Sequence, residues 1–253
     1  AAAVRVSAAV DNQGNITAWT HRAVTQDVTA ILYAEELLDT LAEGALPPLR
    51  ELTDLETGMP YDIDNVLMDA HLTVNLTMPA LWMRSVNKYT DVFAQETFID
   101  EIAARYSRDP YQYRRGMLNG QPRLQAVLDA AAQTANWGSP NGGRSQGMAV
   151  LGHWMSYVAQ VVELSVSADK VVTIHRVISA VDVGTAINPD LVVAQVESAI
   201  VFALTSVFYG EITLDNGVVQ QSNYDDYRVL RMFETPEMTT LVMPSNESPG
   251  GVG

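Results

Sequence analysis

The chain has 253 residues, 47% of them hydrophobic and 18% charged, and its mean hydropathy of +0.03 is that of a globular chain long enough for one large domain or two small ones, which excludes disorder. Fifteen Lys and Arg against thirty Asp and Glu leave a net charge of -15, which repels a phosphate backbone and excludes nucleic acid as a partner. There is no cysteine, so the chain has no disulfide framework and no thiolate-ligated iron–sulfur cluster, and any such cluster sits on another polypeptide.

The lack of cysteine fits an oxidising compartment, and Ala1-Ala2-Ala3-Val4-Arg5-Val6 reads as the start of a strand, not as a signal peptide. Val4 to Val10 and Ile16 to Val24 are predicted strands around the hairpin signal Asp11-Asn12-Gln13-Gly14-Asn15. Ala34 to Leu41 has helical spacing, but Gly44, Pro47, Pro48 and Gly58 punctuate the stretch beyond it, so 30–58 is read as a surface excursion. Asn65 to Leu76 alternates with Val66, Met68, Ala70, Leu72, Val74 and Leu76 on one face, predicting a half-buried strand ended by Pro79.

Three helices are predicted next. In Asp91 to Tyr106, residues Val92, Phe93, Phe98, Ile99, Ile102, Ala103 and Tyr106 form an apolar stripe. Asp109 caps a second helix that has Pro110 in its first turn, and Pro122 opens a third with Leu124, Val127, Leu128, Ala131 and Ala135 inward. Gly147 to Leu151, Tyr157 to Val166 and Val171 to Val181 are predicted strands, the last two joined by the turn Ser167-Ala168-Asp169-Lys170.

Leu191 to Tyr209 is apolar over nearly the ~20 residues that span a bilayer. Gln195, Glu197, Ser198, Thr205 and Ser206 favour a buried helix instead, started by Asn188-Pro189-Asp190. A hairpin around Asp215-Asn216-Gly217 and a strand from Met238 to Met243 complete an α+β order. No shift in composition demands a second independent domain.

The four histidines, His21, His71, His153 and His175, have no metal-ligand spacing and read as core or surface residues. No G-x-S-x-G, P-loop or dinucleotide fingerprint is present. Asp182 reads as the end of a strand and Asn188 as a helix cap. The last residues, Ser248-Pro249-Gly250-Gly251-Val252-Gly253, carry no side chain able to act as acid, base or nucleophile. Glycines there let backbone approach a ligand closely and can present N–H groups to an anion or a flat cofactor.

Several blocks in order resemble one family. Met83-Arg84-Ser85-Val86 followed by Phe93 to Glu101 is similar to a Trp-Arg-Ser-Val-Gly loop and the Phe-Ala-x-Glu-Ser-Phe-Ile-Asp-Glu helix after it. Asp109-Pro110 with Arg114-Arg115, Gly143 to Ala149, Ala180 to Asp190 with Gln195-Val196-Glu197, Tyr209 to Ile212, Ser222 to Tyr227 and Pro249 to Gly253 continue the series. Together they resemble the large subunits of the molybdenum hydroxylases, the xanthine dehydrogenase and aldehyde oxidase superfamily, in the branch of isoquinoline 1-oxidoreductase beta subunits and related aldehyde dehydrogenases.

The resemblance implies that 1–253 is part of an α+β large subunit holding a molybdopterin cytosine dinucleotide cofactor with molybdenum. It implies hydroxylation of an aldehyde or N-heteroaromatic carbon with water-derived oxygen, and electrons passed to 2Fe-2S clusters on a small partner subunit, with a cytochrome c subunit as a further partner. The periplasm is the expected location and the cytoplasm the alternative. The implied cofactor contacts are Arg84, Ser85, Val86, Gly250, Gly251, Val252 and Gly253, and the catalytic glutamate is expected directly after Gly253.

The family's Met-Gly-Gln-Gly and Gly-Gly-Phe-Gly loops have no counterpart here, so much of the cofactor is expected to rest on the remaining part of the large subunit. Asn87 stands where the family has glycine, and Ser198, Ala199 and Ala203 replace further glycines. These departures keep open the alternative of a diverged, non-catalytic structural subunit of such a complex.

Overall fold

The computed structural model of the chain describes residues 3–26, 59–73, 83–85 and 88–252. The expected helix at 34–41, the excursion at 30–58 and the strand end at 74–76 lie outside these residues. The chain divides into two compact units, Ala1–Gln125 with Leu151–His153 and Ala126–Val150 with Trp154–Gly253.

In the first unit, β1 (Ala3–Val10) and β2 (Ile16–Gln26) form an antiparallel hairpin and β3 (Asn65–Thr73) joins β2 in parallel, in the order β1-β2-β3. The hairpin turns where expected because the Asp11 carboxylate accepts the backbone N–H groups of Gln13 and Asn15, both at 2.8 Å. Trp19, His21 and Ala23 alternate inward on β2 and are buried. β3 departs from its expected half-buried pattern. Adjacent residues Val66 and Leu67 are 41% and 51% exposed, so neither face of the strand is covered at that point.

Helix α1 (Lys88–Arg105) packs on β1, and its Phe98 ring lies 5.5 Å from that of Trp19. Its inward stripe is not the expected one. Phe93 is 70% exposed, while Lys88, Asp91, Gln95 and Glu96 are buried beside Ile99, Ile102 and Ala103. The helix is rotated toward polar partners: Asp91 meets His21 at 3.2 Å, and Glu96 accepts Tyr61 Oη at 2.8 Å and Arg114 Nε at 2.9 Å. Buried polar groups must be paired, so partners elsewhere in the unit outweigh the apolarity of Phe93. Helix α2 (Pro110–Gly116) starts as expected, with Asp109 Oδ1 accepting Gln112 N at 2.9 Å.

Helix α3 (Pro122–Ala135) buries the predicted Leu124, Val127, Leu128, Ala131 and Ala135. The second unit contains, apart from Leu151–His153, the sheet β4 (Ser145–His153), β5 (Ser156–Val166), β6 (Val172–Asp182) and β9 (Glu237–Val242), in that order, with β5–β6 antiparallel and β6–β9 parallel. Between β6 and β9 in sequence lie helix α4 (Pro189–Phe208) and the small hairpin β7 (Leu214–Asp215) and β8 (Val218–Val219).

Asn188 caps α4 as expected, its Oδ1 accepting Leu191 N at 3.2 Å. The expectation of a buried helix is corrected. Only Val192, Val196 and Ile200 are buried, against Val177, Val181 and Val183 of the sheet side, while Leu191 and Val207 are 62% and 70% exposed. A helix lying on one sheet covers a single i, i+4, i+8 stripe, and covering the rest needs a second layer.

Candidate functional site

In the second unit, three backbone segments converge at one end of the sheet. β6 ends at Asp182, whose Oδ1 accepts Gly184 N at 2.9 Å and turns the chain. Gly184 adopts φ +70°, and a Cβ there would overlap the Ser248 carbonyl, so the position requires glycine on both conformational and steric grounds. Thr185 donates its N–H and its hydroxyl to Glu247 O at 2.8 and 3.0 Å.

The third segment is the two-residue turn between β4 and β5. Trp154 and Met155 both have positive φ, 46° and 62°, the geometry that matches strand twist in tight hairpins. Across this turn and the 183–185 segment runs the Gly-rich loop. Gly250 N donates to Val183 O at 2.8 Å and Gly251 N to Trp154 O at 3.0 Å. A Cβ on Gly250 would overlap Ser156 Oγ and the Met155 backbone. Val252 packs on the cluster around Val177, Val181 and Val196.

The amides of Gly250 and Gly251 are therefore engaged inside the protein and do not point at a ligand. What these glycines secure is a close backbone seat for the loop itself. Gly253 lies outside the described residues.

Arg84 and Ser85 lie in the first unit, in the turn that opens α1. Ser85 has φ +68°, and its carbonyl accepts Lys88 N at 2.8 Å. Arg84 is half-buried and Ser85 exposed, so the turn displays a cation and a hydroxyl of the kind that hold anionic oxygens. Val86 and Asn87 lie outside the described residues. The expected site residues thus form two groups, each built within its own unit.

Sequence reading missed Trp154, Met155 and Ser156 as the seat of the loop. Positive-φ turns are usually signalled by Gly, Asn or Asp, and Trp-Met gives no such signal. Asp182 ends its strand as expected.

The buried charges serve packing in both units. Glu163, 1% exposed, is held by Arg144 at 2.6 Å and Arg176 at 3.2 Å. The hydrogen bond from Arg144 above all keeps its carboxyl below the usual range. Burial pushes the Tyr61 hydroxyl well above its ordinary value, with Glu96 adding to the effect. Burial works against the charge on Arg114, but Glu96, Tyr61 and Asp100 outweigh it and raise its pKa. Among the described residues no three His, Asp or Glu side chains gather as a metal site.

Comparison with known proteins adds the family. The molybdopterin cofactor-binding domain matches residues 93–236. Isoquinoline 1-oxidoreductase subunit beta of Brevundimonas diminuta is 32% identical over 197 residues, 76% of this chain and 25% of that protein. The membrane-bound aldehyde dehydrogenase (pyrroloquinoline-quinone) of Gluconacetobacter polyoxogenes is 32% identical over 199 residues, 68% of this chain and 25% of that protein. Quinoline 2-oxidoreductase from Pseudomonas putida 86 superposes with a TM-score of 0.74 at 11% identity, over 99% of this chain and 56% of its own, so the α+β fold is shared. The chain spans about a quarter of the length of these curated relatives.

Proposed function

The chain belongs to the molybdopterin cofactor-binding domain family, and on that premise we propose that it is one portion of a molybdenum-dependent oxidoreductase that hydroxylates an aldehyde or N-heteroaromatic carbon with oxygen from water. The observation that carries this reading is the family match over 93–236, which contains both the Trp154–Met155 turn and the Asp182–Thr185 turn on which the Gly-rich loop is seated.

The molybdenum cofactor, when bound, supplies the redox chemistry, accepting the electron pair that leaves the substrate. This chain's share is placement. Asp182 holds the Gly184 turn, the Gly184 turn and Thr185 hold Glu247 and Ser248, and Val183 and Trp154 hold Gly250 and Gly251. These bonds would give the Gly-rich loop a rigid support at the cofactor. A glutamate directly after Gly253 would act there as the general base, since a base must lie within hydrogen-bond reach of the proton it takes. Arg84 and Ser85 would meet cofactor oxygens, with the cytosine dinucleotide form of the pterin as the expected ligand.

The same proposal assigns electron transfer to 2Fe-2S clusters on a small partner subunit, because this chain has no thiol. It includes a cytochrome c subunit onward, the remaining part of the large subunit, and a periplasmic location. The test is to purify the complex containing this chain and measure molybdenum, pterin dinucleotide and oxidation of aldehydes and quinoline-type rings with a dye acceptor in oxygen-18 water. Molybdenum near one per large subunit, with label in the product, is the expected result. A folded, freshly purified complex without molybdenum overturns the proposal.

A further inference from the structure

The start of α1 is held differently from the rest of the helix. Beyond its first turn, Phe98 lies on Trp19, Ile99, Ile102 and Ala103 are buried, and Glu96 accepts Arg114 Nε at 2.9 Å. In the first turn the buried residues are Lys88 and Asp91. Asp91 Oδ1 lies 3.2 Å from Nε2 of His21, which is fully buried on β2, the middle strand of the order β1-β2-β3. A carboxylate oxygen accepts, so Nε2 is the donor in this pair.

Stability alone does not account for the pair. Among the described residues, Asp91 Oδ2 and His21 Nδ1 are buried without a hydrogen-bond partner, and each such atom carries its full desolvation cost. Leucine has the branched shape of aspartate, and an apolar pair would lay the same turn on the sheet without that cost. Apolar contact has no direction, whereas a hydrogen bond ties one atom of the helix to one atom of the sheet.

What the pair fixes lies close by. Lys88, three residues before Asp91, donates its N–H to Ser85 O at 2.8 Å, and Ser85 takes φ +68°. The Arg84–Ser85 turn is therefore tied to the first turn of α1, and that first turn is tied to His21.

We propose that His21 and Asp91 are positioning residues, whose hydrogen bond sets where the Arg84–Ser85 turn stands against the pterin cofactor. The inference rests on the reading of that turn as a cofactor contact.

The complex containing this chain is prepared with Asp91→Leu, which keeps the shape and loses the bond, and with Asp91→Asn, which keeps an acceptor at Oδ1. His21→Asn, too short to reach Asp91, and His21→Gln, which retains a donor at Nε2, repeat the comparison from β2 and serve if Asp91→Leu does not assemble. Arg114→Met is the control, because it breaks a buried charged pair on the same helix away from the turn. Hydrogen exchange of the Lys88 amide reads the turn, and pterin dinucleotide retained after gel filtration reads the cofactor.

The expected result is exchange at Lys88 at least about tenfold faster, with loss of most of the pterin, in D91L and H21N, and wild-type behaviour in D91N, H21Q and R114M. Wild-type exchange in D91L and H21N, no rescue by D91N and H21Q, the same loss in R114M, or faster exchange with the pterin fully retained each overturns the inference. A wild-type complex that holds no pterin instead overturns the functional reading beneath it, while exchange at Lys88 still decides whether the pair holds the turn.

Discussion

Gly184→Ala tests the way the Gly-rich loop is seated. Gly184 sits at φ +70°, and its new Cβ would meet the Ser248 carbonyl. The left-handed backbone alone costs an L-residue about 1–2 kcal/mol. Relieving the overlap must pull Ser248 away and weaken the bonds Thr185 N to Glu247 O and Gly250 N to Val183 O, each contributing about 0.5–1.5 kcal/mol. The combined effect is about 3 kcal/mol.

Gly217→Ala supplies the control. Gly217 has φ +82° with nothing near its would-be Cβ, so only the backbone term of about 1.5 kcal/mol applies. The loss of unfolded-chain freedom is the same in both variants and cancels. At roughly 2–4 °C per kcal/mol for a chain of this size, G184A lowers the melting temperature by about 6–12 °C and G217A by about 3–6 °C. If the loop lifts locally instead, hydrogen exchange at Thr185 and Gly250 speeds up about 100-fold in G184A and is unchanged in G217A. Equal behaviour of the two variants in both measurements refutes the packing argument.

Four further outcomes are expected. Arg114→Met leaves Glu96 buried without its charge partner and lowers stability by about 3–5 kcal/mol in denaturant melts, most of it recovered in the double variant with Glu96→Gln. Glu163 is held below its ordinary value, so its contribution is complete above about pH 4.5 and is lost as pH falls through the lowered folded value. The wild-type melting temperature should accordingly fall more steeply with acid than that of Glu163→Gln, and parallel profiles would contradict this. Asn188→Ala removes the cap on Leu191 N and costs about 1 kcal/mol, seen as a drop of about 2–4 °C. Replacing the glutamate expected after Gly253 by glutamine should leave molybdenum content unchanged and lower turnover by at least ~10²-fold; retained turnover removes that residue as the base.

Local signals were readable from the sequence wherever the cause is local. Asp11 accepting N–H groups two and four residues on, Asp109 and Asn188 capping helices that begin with proline, and the apolar stripe of α3 all depend on near neighbours along the chain. The order of strands and helices and the family blocks were readable as well, whereas the reason Gly250 must be glycine lies with Met155 and Ser156, far away in sequence.

Tertiary structure decided the rest, because each of these outcomes depends on a residue far away in sequence. α1 buries Asp91 and Glu96 and exposes Phe93 since His21, Tyr61 and Arg114 wait 18 to 70 residues away. Trp154 and Met155 take left-handed backbone without any turn-forming residue, and the Trp154 carbonyl receives an amide from Gly251. α4 reads as a core helix from hydropathy alone, but hydropathy records only that a surface resists water. What covers that surface is a matter of which layer packs against it, and the sheet of this unit reaches one stripe of the helix.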